Sequence, residues 1–371
     1  MEDTKRVLSI QSHVVHGYVG NKAATFPLQL LGWDVDAINT VQFSNHAGYR
    51  SHGGSKTDSA QLLDIFSILK KNEFSNTKAL LTGYVPGAEA LSVVADFAAR
   101  LKEANPNMIL LIDPVMGDDG KMYVADDVLP VYRDSLIPLA TIITPNWFEV
   151  ELLTKIRLTS QDNLRSALKI LHTDLGAPHV VISSVVVRRG SRLLEEVTRA
   201  GLGAANLLAT NGAKSNGHTP DEFILCVSSS ASDDVNMPPT VHALAVPRIK
   251  GYFSGVGDIF SAFVLAHYQS TPSSSTPPAL TTPLSRAASR ALHTTHTILR
   301  RTQDYALNVA VDESAAYTDD ELDSNEPLRR VRRMRTRELR LIQSRDDILA
   351  CAEGRVQVKE MKPWDGFWQD N

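Results

Sequence analysis

The chain has 371 residues, 43% of them hydrophobic and 22% charged, with a formal net charge of -4. That composition is ordinary for a globular protein with room for a sizeable core, and a charge this small supplies no global field for nucleic acid or an anionic membrane. Cys226 and Cys351 are too few for a disulfide framework and lack the C-x-x-C spacing of zinc or redox sites, which fits a reducing cytoplasm.

The opening MEDTKRVLSI is acidic and its apolar stretch is short, so no targeting peptide is expected there. No apolar run approaches the ~20 residues of a membrane span. Short β-rich runs follow one another: VLSI (7–10), VDAINTVQF (35–43), ALLTGY (79–84), MILLID (108–113), TIIT (141–144) and VVIS (180–183). Helical patterns lie between them, as in DSAQLLDIFSILKK, AEALSVVADFAARLKEA and QDNLRSALKILHTDLG, the last closed by a glycine. The alternation predicts an α/β fold with a mostly parallel central sheet flanked by helices on both faces. Ligands of such sheets gather beyond the carboxyl ends of the strands, where this chain carries Ser12, Tyr84, Asp113, Thr144, Ser183 and Ser184.

From about residue 186 the pattern loosens, and 190–222 is expected to be an insertion or loop with a flexible tip. FILCVSS and HALAVPRI then suggest antiparallel edge strands. The Ser, Thr and Pro-rich stretch 270–285 is expected to be a flexible insertion between two helices, the second being RAASRALHTTHTILRRT. An acidic run and then LRRVRRMRTRELR make a charged segment, about 311–340, expected to be solvated or self-neutralising. Without aromatic interleaving or a recognised nucleic-acid-binding fold, no nucleic-acid contact is expected of it. The whole, 1–371, is expected to be a single domain.

Several motifs carry chemistry. In GYFSGVGDIF (251–260), Gly255 and Gly257 open an apolar helix, and a glycine-rich helix start offers bare backbone N–H groups and positive dipole to an anion. Asp258 beside them is either the helix cap or a base. DPVMGDDGKMYV (113–124) gathers Asp113, Asp118 and Asp119 at a strand end, as a Mg²⁺ bridging phosphate oxygens requires, or as an Asp-Gly turn would. In TPNWFEVELL (144–153), Asn146 and Glu149 begin a helix, where Glu149 complements the dipole or joins Asp113 on the same rim. GLGAAN (201–206) lacks a clear preceding strand and is set aside as a dinucleotide fingerprint, while Gly120-Lys121 runs into Met122 and makes no P-loop. The His13/His16 and His293/His296 pairs lack a third ligand. Anion-binding glycines, an adjacent aspartate and acidic strand ends together suit transfer of a phosphoryl group to an alcohol, which favours Asp258 as base.

The residues RVLSIQSHVVHGYVGNKAATFPLQLLGWDVDAINTVQFSNHAGY (6–49), then LLTGYVPG, DPVMGDDGKMYV, ITPNWFEVELL and FSGVGDIFSAF in that order, resemble the pyridoxal kinases of the ribokinase-like superfamily. The resemblance implies ATP-dependent phosphorylation of the 5′-hydroxymethyl group of pyridoxal, pyridoxine or pyridoxamine in vitamin B6 salvage, a homodimer, and a cytoplasmic location, with the nucleus as a second compartment. It further implies that Ser12 bonds the pyridine ring, that Val19, Phe43, His46, Ala47 and Tyr84 line the vitamin pocket, and that Asp258 in the Gly255-Val256-Gly257 turn is the base. By the same resemblance Asp113, Asp118 and Glu149 organise Mg²⁺ and phosphates, and Thr144 and Ser183 with Asp113 form a monovalent-cation site for K⁺. Asn146 and Ser184 then touch the phosphates, and Tyr123 rides the loop over ATP. Two positions depart from the family: Val256 stands where Thr or Ser is usual, and Ala47 where Thr is frequent. The alternatives are a hydroxymethylpyrimidine kinase of the same superfamily and a catalytically weakened vitamin-binding regulator, the latter opposed by retention of four carboxylates.

Overall fold

A computed structural model describes residues 5–74, 76–203, 221–232, 234, 236–268, 281–309, 323–324 and 326–369. Among the described residues ten strands form one sheet: β1 (Lys5–Val14), β2 (Trp33–Phe43), β3 (Gly54–Lys56), β4 (Ala79–Thr82), β5 (Ile109–Ile112), β8 (Ile142–Ile143), β9 (His179–Arg188), β10 (Glu222–Ser230), β11 (Thr240–Pro247) and β12 (Lys362–Pro363). A two-stranded hairpin, β6 (Gly117–Asp118) and β7 (Lys121–Met122), stands apart from it. The sheet order is β12-β11-β10-β9-β8-β5-β4-β1-β2-β3. Pairing is parallel from β9 through β8, β5, β4 and β1 to β2, and antiparallel at both edges.

The central strands are apolar on both faces because helices cover both. Along β4 and β5, Leu80, Leu110 and Ile112 pack into one core while Ala79, Leu81 and Leu111 pack into the other, the period-two alternation of a strand. The first core is closed by the helices Ser59–Lys71, Ala88–Ala104, Trp147–Thr154 and Gln161–Lys169, through residues such as Phe66, Phe97 and Leu164. The second is closed by Gly20–Leu30, Val256–His267 and Pro283–Val309, with Phe263 and Leu292 among the buried side chains. No described helix is long and apolar enough to cross a membrane.

Three expectations need correction. The chain from 186 is no loop: β9 runs on to Arg188, and Ser191 caps a helix, Arg192–Arg199, by accepting from Leu194 N–H at 3.3 Å. That helix packs Leu193, Leu194 and Val197 into the first core, a stripe too short to show helical periodicity. Residues 204–220, the rest of the expected insertion and part of GLGAAN, lie outside the described residues. The second helix begins at Pro283, so 283–285 are helical with Leu284 and Ser285 buried; 269–280 lie outside the described residues. In the charged segment, 310–322 likewise lie outside. Asp323 does neutralise Arg329 and Arg333, yet the chain beyond the helix Pro327–Thr336 is not solvated: Leu339 and Leu341 are buried.

Candidate active site

Beyond the carboxyl ends of the parallel strands lies a cleft of about 590 Å³. β1 brings Ser12, β2 brings Phe43, the turns after β4, β5 and β8 bring Tyr84, Asp113 and Thr144, and β9 brings Ser183. Val19, His46, Ala47, Asp118, Tyr123, Asn146, Glu149 and the stretch Gly255 to Asp258 complete the set of expected residues that line it. Ser184 does not line this cleft: the pairing of β9 with β10 slips opposite Ser183 and Ser184, and of the two Ser183 lines it.

The helix Val256–His267 begins at Gly255, whose φ of 81° and ψ of 6° lie in the left-handed region. A Cβ there would stand 2.0 Å from the Tyr18 carbonyl oxygen, so only glycine fits. The first bond of the helix ladder runs from Ile259 N–H to Gly255 C=O at 3.1 Å, which leaves the N–H groups of Val256, Gly257 and Asp258 outside the ladder at the positive end of the dipole. No side chain caps this end. Asp258 is therefore not the cap: it is the third helical residue, and it accepts from the Gly20 N–H. Gly20 must itself be glycine, since a Cβ would fall 2.0 Å from the Ser12 carbonyl oxygen. Burial raises the Asp258 carboxyl above its ordinary range, against the bond from Gly20.

Asp113, 4% exposed, accepts from Ser261 Oγ at 3.0 Å, and Ser261 Oγ lies 2.8 Å from Thr144 Oγ1. Burial first, then the nearby charge of Asp258, pushes the Asp113 carboxyl up, with the Ser261 bond opposing. Glu149 is also raised, by burial and then by Asp113. Its carboxylate accepts from Met116 N–H at 3.1 Å and Asn146 N–H at 2.8 Å, while Asn146 Oδ1 accepts from Glu149 N–H at 3.0 Å. This is a capping box, so the helix-start reading of Glu149 holds, and the box also ties Asp113's neighbour Met116 to the rim. Asn146 Nδ2 donates to Gly117 O at 2.8 Å and holds the β6–β7 hairpin, whose tip is the Asp119-Gly120 turn at positive φ. Asp118, raised mainly by burial, lines the cleft beside that turn. Across the mouth the Tyr123 hydroxyl is hydrogen-bonded to Tyr252, which also lines the cleft.

Among the described residues no group of three or more His, Cys, Asp and Glu side chains is arranged to enclose an ion. The acidic set nevertheless fits a cation that keeps part of its water. Asp113 and Glu149 are buried carboxyls, Glu149 lies in the repulsive field of Asp113 and of the half-buried Asp118, and the fully buried Tyr132 hydroxyl, in the field of Asp113 and Glu149, has no partner among the described residues.

The other end of the cleft is held by a residue that sequence reasoning missed. Glu338 accepts from His46 Nε2 at 3.0 Å, from Tyr49 Oη at 2.8 Å and from Tyr18 N–H at 3.0 Å. Burial works to raise its carboxyl, but the bonds from His46, Tyr49 and Tyr18 outweigh it and hold the group below the ordinary range. Tyr49 is shifted the other way, by burial and then by the Glu338 charge. The available signal was ELRLIQS at the end of the basic run, where leucines turn inward.

A ten-stranded sheet with acidic strand ends facing a glycine-opened helix is the architecture of a small-molecule kinase of the ribokinase-like class. The chain is 36% identical over 346 residues to the pyridoxal kinase of Arabidopsis thaliana, covering 93% of this chain and 92% of that protein, and 38% identical over 346 residues to a putative pyridoxal kinase of Saccharomyces cerevisiae, covering 92% and 94%. It belongs to the pyridoxal kinase family. The structure of pyridoxal kinase from Leishmania donovani in complex with ADP and pyridoxine superposes with a TM-score of 0.71 at 29% identity, over 97% of this chain and 99% of that one. A family model described as phosphomethylpyrimidine kinase matches residues 73–218.

Proposed function

We propose that this kinase transfers the γ-phosphoryl group of ATP to the 5′-hydroxymethyl group of pyridoxal, pyridoxine or pyridoxamine. The observation that carries the reading is the setting of Asp258, a carboxylate that caps nothing, held by the Gly20 N–H beside unladdered N–H groups in the cleft. Those amides receive the negative charge that develops on the phosphoryl oxygens. Asp258 takes the proton of the substrate hydroxyl as its oxygen bonds to phosphorus and the bond to ADP breaks. Ser12, Val19, Phe43, His46, Ala47 and Tyr84 form the ring-binding end, and Asn146, Ser183 and Tyr123 the nucleotide end. Asp113, Asp118 and Glu149 would hold Mg²⁺, which would neutralise charge on the ATP phosphates. Thr144, Ser183 and Asp113 are the proposed K⁺ site. The resemblance supports a homodimer acting in vitamin B6 salvage in the cytoplasm.

The match to a phosphomethylpyrimidine kinase model keeps one other acceptor in view. ADP release measured with each vitamer and with hydroxymethylpyrimidine, with and without K⁺, separates the two. The reading requires the highest kcat/KM on a vitamer, and faster turnover of the pyrimidine would overturn it.

A further inference from the structure

Glu338 does not line the cleft, yet it joins three chain segments that do. His46, Ala47 and Gly48 belong to the loop after β2, Val19 follows the Tyr18 amide that Glu338 holds, and Ser254 leads into the Gly255 turn. His46 is the hub. Its Nδ1 lies 3.1 Å from both the Gly48 N–H, which donates to it, and Ser254 Oγ, so Nε2 carries the proton and donates to Glu338. The helix Pro327–Thr336 reinforces the same loop, with Arg330 Nε donating to Gly48 O at 2.9 Å. The fit is tight: a Cβ on Gly17 would stand 2.4 Å from Glu338 Oε1.

We propose that Glu338 is a positioning residue for the vitamer end of the cleft, fixing the His46 tautomer and the Tyr18, His46 and Tyr49 segments in the geometry that receives the pyridine ring. The inference rests on the reading of that end as the vitamer pocket. Three donors converge on two oxygens, and only an acceptor-only group satisfies all of them. A glutamine, nearly the same shape, sets its amide N–H₂ against either the Tyr18 N–H or the His46 and Tyr49 donors. An unsatisfied donor there displaces the ring-binding loop and leaves the nucleotide end, built on β5, β8, β9 and the β6–β7 hairpin, untouched.

The test is steady-state kinetics of Glu338→Gln in the full chain. The expected result is a KM for pyridoxal raised at least ~10-fold, with KM for ATP and the affinity for a non-hydrolysable ATP analogue within ~2-fold of wild type. In ¹⁵N-histidine spectra, the His46 signal, identified by its loss in His46→Gln, should depart from the Nε2–H pattern. Should Glu338→Gln fail to fold, Tyr49→Phe, which removes one donor, should raise the vitamer KM by ~3-fold or more with ATP unaffected. An unchanged vitamer KM, or both KM values and kcat worsening together, overturns the proposal. Failure of the substrate reading looks different: wild type would phosphorylate no vitamer although its His46 spectrum still responded to Glu338→Gln.

Discussion

Replacing Gly255 by alanine tests the phosphate-binding turn through a single methyl group. The new Cβ would stand 2.0 Å from the Tyr18 carbonyl oxygen and 3.0 Å from its carbon. Relief cannot come from a rotamer change, because the obstacle is backbone, and that backbone is pinned by the Tyr18 N–H bond to Glu338. Either the 17–20 turn or the helix start must move by about 1 Å to restore van der Waals contact, and alanine in the left-handed region adds about 1–2 kcal/mol. Together these imply about 2–4 kcal/mol of lost stability. A displacement of that size at reacting groups also lowers turnover by ~100-fold. Urea melts read the first quantity and ADP release at saturating substrates reads the second. A Gly255→Ala protein with stability within ~0.5 kcal/mol of wild type and unchanged kcat would refute this account of the turn.

Restoring the family's usual hydroxyl by Val256→Thr should lower KM for ATP by ~2- to 10-fold, the scale of one added hydrogen bond, in the same assay with ATP varied. Ala47→Thr should do likewise for the vitamer KM, by up to ~10-fold. Asp113 yields a prediction whose sign runs against the usual carboxylate. Its group is raised from 3.8 to about 8 in the fold, so the folded chain keeps a proton that the unfolded chain releases, and the stability it contributes at low pH is lost as pH rises between those values. In metal-free buffer Asp113→Asn should therefore be more stable than wild type at the upper end of that window, by about 1–3 kcal/mol, with the gap closing toward its lower end in urea melts. A variant less stable than wild type throughout would contradict the assignment.

Much of the fold was legible because its signals are local. Apolar runs such as MILLID bury on both faces of the sheet, and the Asp58 capping box with Gln61 marks one helix start from four residues. The rim was legible too, since the residue after each parallel strand falls on it by topology alone. Its neighbours in the sequence favoured Asp258 as base, but that it does not cap its helix was not legible, for that depends on the αL backbone of Gly255 and on Gly20, distant in sequence. Glu149 proved to cap its helix and to stand on the rim at once, so the two readings were never exclusive. Glu338 was hidden because its partner His46 is 292 positions away and a glutamate among arginines suggests a solvated surface pair. The helix Arg192–Arg199 was hidden because its eight residues span barely two turns.

The most direct measurement is the single-turnover rate of Asp258→Asn, a near-isosteric change that keeps an oxygen for the Gly20 N–H. With vitamer and ATP-analogue affinities within a few-fold of wild type, phosphoryl transfer should slow by at least ~100-fold, and wild-type turnover should decline with falling pH at a point above the ordinary aspartate range because the Asp258 carboxyl is raised by burial. Transfer by Asp258→Asn within ~3-fold of the wild-type rate would contradict its role as the base.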